Sequence, residues 1–253
     1  MLVPHRIFLF WLLYVVIVAF SSSALAYLGL PQIALYYDHS LLTLLLFLMY
    51  GIAEVIAGRQ AWLISRENRI ADHVTEWLKA NPLRLIRVRH DDVLMVSYQT
   101  QINIQPSVIG DHFTTLGRMA AGGQQHLRQE PILDNAADHI YERSLIGDFI
   151  STRIVWIGIL ATILGVIMAF WPMIDGGSID TMKNNIGQFF GGIAVAFIPT
   201  AVSFVCKVAL DFNSRIIAAG VRDLFTKITI ASETSVVPFL DNAGDITVVD
   251  NLA

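Results

Sequence analysis

Small and hydroxylated side chains follow one face of each of two apolar segments, GILATILGVIM (158–168) and GGIAVAFIPTAVSF (191–204). The first stripe consists of Gly158, Thr162, Gly165 and Ala169. The second stripe consists of Gln188, Gly192, Ala196, Thr200 and Ser203. Steps of three and four residues put each set on one helix face, where another backbone can approach closely and lipid offers hydroxyls no partner. Neither segment contains a carboxylate, so the pair predicts a protein-lined path through a membrane that lacks its own charged group.

A proline stands beside the hydroxyls of the second stripe. Pro199 has no N–H to donate to the carbonyl of Val195, so a free backbone oxygen is expected next to Thr200. Hydroxyls and a free carbonyl together can hold waters or a passing cation. Tight helix packing without any ion path explains the same glycines, and this alternative stays open.

The composition is that of an integral membrane protein. Of 253 residues, 55% are hydrophobic and 15% are charged, and the mean hydropathy is positive. Four stretches reach the length of about 20 residues that spans a bilayer, namely 7–28, 41–60, 154–174 and 187–208. We therefore expect an all-α membrane protein in four parts: peripheral spans in 1–64, a cytoplasmic helical domain in 65–153, pore-lining spans in 154–209 and a cytoplasmic tail in 210–253.

The basic residues predict which side each loop faces. Only Lys183 of the 17 lysines and arginines falls between spans three and four, and the loop 29–40 has none. The positive-inside rule therefore places both termini, the central block and the tail in the cytoplasm, with two short loops outside. A signal peptide is the alternative for the first segment, because Arg6, an apolar run and SSSALA follow one another there.

The central block begins with an amphipathic pattern. Residues 65–81 predict a helix with an apolar face that ends before Pro82. That face consists of Ile70, Val74, Trp77 and Leu78. The stretch 83–108 mixes β-branched and basic residues and predicts neither helix nor strand clearly. From Ile132 a helical pattern runs without glycine or proline to Gly147 and is expected to continue into span three.

Residue patterns that would indicate an enzyme or a cofactor site are missing. The chain has no glycine-rich phosphate loop, no HExxH and no nucleophile elbow, so we expect no catalysis and no cofactor. Its single cysteine, Cys206, and its scattered histidines give no metal-ligand spacing. The basic run RLIRVRH (84–90) is followed by two aspartates, which favours a solvated face or lipid headgroups over nucleic acid.

Spans one and two are bulky and aromatic on nearly every side, which is typical of helices that face lipid. The exceptions are the serines at 21–23 and Glu54, which lies about one turn from the cytoplasmic end of span two. We expect it to reach the membrane surface or to pair with a cation such as Arg59 rather than to conduct protons.

The two striped helices resemble the core of the MotA/TolQ/ExbB proton-channel family. The first core helix of that family carries Gly-Leu-x-Gly-Thr-x-x-Gly, and Gly158, Thr162 and Gly165 match it, with Ala161 in place of the middle glycine. In the second core helix, a threonine precedes a glycine by three residues. Thr200 takes the place of that threonine and Ser203 that of the glycine. The resemblance covers about residues 140–215, and four spans are closer to flagellar stator and Zorya-type members than to three-span ExbB or TolQ.

The resemblance implies a pentamer in the bacterial inner membrane around the helices of a single-span partner similar to MotB, ExbD or TolR. That partner, expected as a dimer, would supply the aspartate that carries the ion, because the pore wall of this chain lacks a carboxylate. Thr162, Thr200 and Ser203 would line the ion path, and the packing residues would be Gly158, Ala161, Gly165, Gly192, Ala196 and Pro199. A non-conducting oligomeric scaffold remains the alternative function.

Overall fold

The structure is a computed structural model that describes residues 6–29, 41–89, 92–104, 106–122, 130–174, 179–241 and 245–248. Its contacts divide the chain into two compact units. We call Leu9–Gln60 with Ser144–Ile216 the helical unit. We call Met1–Phe8, Ala61–Arg143 and Ile217–Ala253 the sheet unit. Residues 30–40 of the loop expected at 29–40, and residues 175–178 of the loop expected at 175–186, lie outside the described residues. The remainder of the second loop, from Ile179 onward, is helical instead.

Most of the described chain is helical. The helices are α1 (Arg6–Tyr27), α2 (Leu42–Ala80), α3 (Val108–Ala121), α4 (Glu130–Ile174), α5 (Ile179–Ala231) and α6 (Val237–Asp241), with a π-helical turn at Ser232–Val236 before α6. Among the described residues, four helices are long and apolar enough to cross a membrane, namely α1, α2, α4 and α5. Span two and the amphipathic helix after it are one continuous helix, and α4 runs unbroken into span three as expected.

Residues 83–104 form strands, so the predicted all-α fold is wrong in this region. The strands are β1 (Leu83–Arg89), β2 (Asp92–Ser97), β3 (Gln101–Ile104) and β4 (Asp245–Val248). Their order is β3-β2-β1-β4, with β4 parallel to β1 and the other pairs antiparallel. The cause is a period of two in β1, where Ile86 and Val88 are buried and Arg87 between them is exposed.

The core of the sheet unit combines chain segments that are far apart in sequence. Val74 and Leu78 on the apolar face of α2 are buried there, while Ile70 and Trp77 pack at its margin. Leu224 and Ile228 of α5 belong to the same core. The segment 210–253, treated above as a separate tail, therefore shares a core with the central block from Leu224 onward.

Within the sheet unit, a buried amide joins α2 to α5. The side-chain nitrogen of Asn68, which is fully buried, donates to the carbonyls of Ile64 at 3.1 Å and Gly220 at 3.0 Å. Its oxygen accepts from Lys227, whose ammonium also pairs with Asp72 and Asp223. Because every polar atom of Asn68 is satisfied only when both helices are aligned, the amide specifies their register.

The core of the helical unit is smaller and comes from three helices. It consists of Leu46, Ala53, Ile154, Cys206 and Leu210. Large apolar side chains remain exposed on the outside of α1, among them Leu13, Ile17 and Phe20. Such exposure over a whole helix is expected of a lipid-facing surface and not of a water-soluble domain.

Candidate functional site

The hydroxyls of Thr162 on α4 and Thr200 on α5 contact each other; we call these residues the hydroxyl pair. The Thr200 hydroxyl lies 2.7 Å from the carbonyl oxygen of Gly158. The Thr162 hydroxyl lies 3.2 Å from the carbonyl oxygen of Ala196. Since each hydroxyl has one proton, donation from Thr162 to Thr200 and from Thr200 to Gly158 satisfies the pair.

Two glycines let the helices come this close. A Cβ at Gly165 would lie 2.5 Å from Cα and 2.6 Å from the backbone nitrogen of Ala196. A Cβ at Gly158 would overlap Oγ of Ser203, whose hydroxyl donates to the carbonyl of Thr200 at 2.7 Å. No larger residue fits at either position without moving the helices apart or displacing the serine.

The other predicted packing residues divide into two groups. Ala161, Ala196 and Pro199 are buried, as their packing role requires. Gly192 lies in α5, but its surroundings lie outside what the structure describes. Gly158 lies against Ser203 and Gly165 lies against Ala196, so these parts of the two stripes face each other.

The hydroxyl pair faces a neighbouring backbone, as helix packing requires, and not an open path within the single chain. Both threonines are partly buried, and carbonyls of both helices lie within hydrogen-bond distance. Within a single chain, the pair therefore acts as a polar clamp between α4 and α5. Because both threonine side chains are partly exposed, a side chain from another protein can still reach the hydroxyl pair.

Polar contacts between the same two helices continue toward the N-terminal part of α4 and the C-terminal part of α5. Lys207 on α5 pairs with Asp211 at 2.8 Å, and the hydroxyl of Ser151 on α4 donates to Asp211 at 3.1 Å. The hydroxyl of Ser214 then donates to Asp148 at 2.9 Å. From Thr162 to Asp148 these contacts extend along about 21 Å of helix.

We call this set the polar seam, and it consists of Asp148, Ser151, Thr162, Thr200, Ser203, Lys207, Asp211 and Ser214. The sequence did not predict the part of the seam formed by Asp148, Ser151, Asp211 and Ser214. Ser151 and Asp148 precede Thr162 by 11 and 14 residues, and Asp211 and Ser214 follow Thr200 by the same steps. Those steps are close to whole numbers of helical turns, so these residues lie on the same helix faces as the two stripes. Continuing each stripe along its helix would have identified them.

A second polar cluster surrounds Glu54, and the predicted pairing with Arg59 is not found in the described structure. Asn213 donates its side-chain N–H to the Glu54 carboxylate at 2.7 Å. The Tyr14 hydroxyl lies 3.4 Å from Glu54 and 2.9 Å from the carbonyl oxygen of Ala209. Arg59 is exposed instead. Sequence spacing gave no sign of this cluster, because its members come from three helices.

No protein-family model, no curated protein and no solved structure matches this chain. The family resemblance therefore rests on the residues of α4 and α5 themselves. Among the residues that the structure describes, no three His, Cys, Asp or Glu side chains are grouped so as to hold a metal ion.

Proposed function

We propose that the protein is the channel subunit of an ion-driven membrane motor or energy-transducing complex, with protons as the expected ion. It would form a homopentamer in the bacterial inner membrane with both termini in the cytoplasm. A single-span partner, expected as a dimer, would supply the aspartate that carries the ion. Ion flow would then be converted into mechanical work.

The observation that carries the proposal is the polar seam. Hydroxyls at mid-span are costly in lipid unless a neighbouring helix or water satisfies them. Here Thr162 and Thr200 are aligned with a lysine–aspartate pair lower on the same seam. A scaffold needs glycines for close contact, but it does not need charged residues at the end of the same contact face.

The absence of a carboxylate in spans three and four supports the need for a partner. The stretches 154–174 and 187–208 contain no Asp or Glu, and their only charged side chain is Lys207. A path for protons needs a group that can take up and release one. In this proposal, the aspartate of the partner lies beside the hydroxyl pair.

The test is proton flux into liposomes that contain the purified chain with or without a candidate single-span partner that carries one aspartate in its membrane span. We expect negligible flux from the chain alone, flux with the partner, and none when the membrane aspartate of the partner is changed to Asn. The amide cannot carry a proton at neutral pH. Robust flux from the chain alone that disappears in Glu54→Gln would overturn the proposal and make Glu54 the carrier.

A non-conducting oligomeric scaffold is the second candidate. The observation in its favour is that both threonine hydroxyls already have backbone carbonyls as partners within the chain. If it is correct, removing the hydroxyls will weaken helix contact without affecting any ion-dependent activity.

A further inference from the structure

Glu54 lies in a helix that contributes to the proposed membrane-spanning part, yet its carboxylate is poorly satisfied. A carboxylate offers about four lone-pair sites. The only short hydrogen bond that the described chain gives to Glu54 comes from Asn213 at 2.7 Å. Tyr14 directs its single proton to Ala209 at 2.9 Å and contacts Glu54 only at 3.4 Å.

Two further oxygen atoms in this cluster are also unsatisfied. The side-chain oxygen of Asn213 has no hydrogen-bond partner, and the residue is only 1% exposed, so water reaches it poorly. Tyr50, one helical turn before Glu54, lies close to Glu54 and Tyr14 and interacts with both through its hydroxyl and electrostatically. No hydrogen bond of ordinary geometry satisfies its buried hydroxyl. Buried polar atoms without a well-formed hydrogen bond are costly, and no side chain of this cluster carries a positive charge, so the cluster holds no counter-charge for Glu54.

No basic residue of the described chain forms an ion pair with Glu54. The titratable groups that interact with it are Tyr14 from α1, Tyr50 from its own helix and Cys206 from α5. Phenols and thiols carry no positive charge at any pH. Asp211, only two residues from Asn213, is different because Lys207 lies 2.8 Å away.

We propose that Glu54 and Asn213, with Tyr14 and Tyr50, form a binding site for one monovalent cation, either a proton or Na⁺. A bridging water would satisfy the oxygen atoms but would leave the charge of the carboxylate in place. A cation satisfies the oxygens and neutralises the charge. The site is separate from the polar seam and does not depend on the proposed ion conduction.

The experiment uses the full chain in lipid vesicles and a hydrophobic carbodiimide, which modifies protonated carboxyl groups. The adduct at each carboxylate is measured by mass spectrometry as pH is varied, in NaCl or in choline chloride. Glu54 is accessible to the reagent because it is only partly buried. Asp211 is the carboxylate used for comparison, because its negative charge is already paired with Lys207.

We expect Glu54 to be modified and the rate to fall about tenfold per pH unit once the site is mostly deprotonated. If the bound cation is a proton alone, Na⁺ and choline will give the same rate. If Na⁺ binds, it will lower the rate as its concentration rises, whereas choline will not. Absence of modification at every pH, or the same pH and Na⁺ dependence at Glu54 and Asp211, would overturn the proposal.

The variant Asn213→Leu tests the geometry of the site. Without the amide, Na⁺ protection will be lost if Na⁺ binds, and modification will persist to higher pH if the cation is a proton, because the carboxylate loses its short hydrogen bond. Ser214→Ala is the control, since Ser214 bonds to Asp148 instead. Unchanged modification in Asn213→Leu would contradict the proposed role of Asn213.

Discussion

A threonine inside a helix often donates its hydroxyl proton to the carbonyl four residues earlier. Thr226 donates in this way to Arg222 at 2.9 Å, and Thr229 donates to Phe225 at 2.9 Å. Thr162 and Thr200 differ because each also contacts the opposite helix. Their hydroxyls therefore join two helices as well as bonding locally.

We predict that Thr200→Val and Thr162→Val leave assembly intact and suppress ion-dependent activity. Valine keeps nearly the same volume and removes a hydroxyl, so the expected cost in stability is about 0.5–1.5 kcal/mol. Flux is measured in liposomes with the partner, and assembly by size-exclusion chromatography. Thr226→Val is the control, because its hydroxyl bonds only within its own helix. Wild-type flux in both test variants would remove the hydroxyl pair from the ion path.

The ion pair on the polar seam gives a second prediction at this scale. The side chains of Lys207 and Asp211 are 36% and 46% exposed, so their pairing contributes at most about 1 kcal/mol to stability. Asp211→Asn leaves the charge of Lys207 uncompensated, and we expect cation flux to fall while the melting temperature barely changes. The double variant with Lys207→Met should recover flux. Equal flux in wild type and Asp211→Asn would show that the pair lies off the path.

At the scale of elements, α4 and α5 make contact through glycine and alanine. We predict that Gly165→Ala lowers stability by about 1–3 kcal/mol, since the added methyl would overlap the backbone of Ala196 and force the helices apart. Gly147→Ala in the same helix is the matched control, because nothing lies within 4 Å of its added Cβ. The melting temperature of each variant in detergent, compared with that of the wild type, measures the change in stability. Equal melting temperatures would mean that the helices are not held at this contact.

Sequence reasoning identified the long helices and the stripe on each, because hydrophobic length and helical spacing are local properties. It did not identify the strands at 83–104. The clear alternation of β1 covers only Ile86, Arg87 and Val88, and an irregularity in the pairing between Leu83 and Leu85 disturbs the rest of the strand. The partner β4 comes from a distant part of the chain, and no local pattern could indicate that pairing.

Distance along the chain also explains why the sequence did not predict the partners of Glu54. Its neighbours Tyr14 and Asn213 lie 40 and 159 residues away in sequence, whereas Arg59 is close. Proximity along the chain favoured the arginine, but residues five apart on a helix point in different directions. Contacts between helices that do not follow a repeated spacing require the folded structure.

At the scale of the whole molecule, the predicted pentamer places the spans of α4 and α5 inside and the spans of α1 and α2 against lipid. A photo-crosslinker in place of Phe20, which is 77% exposed, should capture lipid. The same group in place of Phe197 on α5, 62% exposed, should capture another copy or the partner. Mass spectrometry of the adducts identifies what is bound. Protein adducts at Phe20 and lipid adducts at Phe197 would place spans one and two at the centre instead.

The parallel pairing of β4 with β1 has a consequence for biosynthesis. About 155 residues are translated between the two strands, which takes roughly 8–30 s at 5–20 residues per second. During that interval β1, β2 and β3 can pair, but one edge of β1 still has unpaired N–H and C=O groups. Such an edge attracts other extended chains. The nascent protein therefore has a period in which insertion of its apolar helices competes with aggregation, and a chaperone that covers the edge would raise the yield.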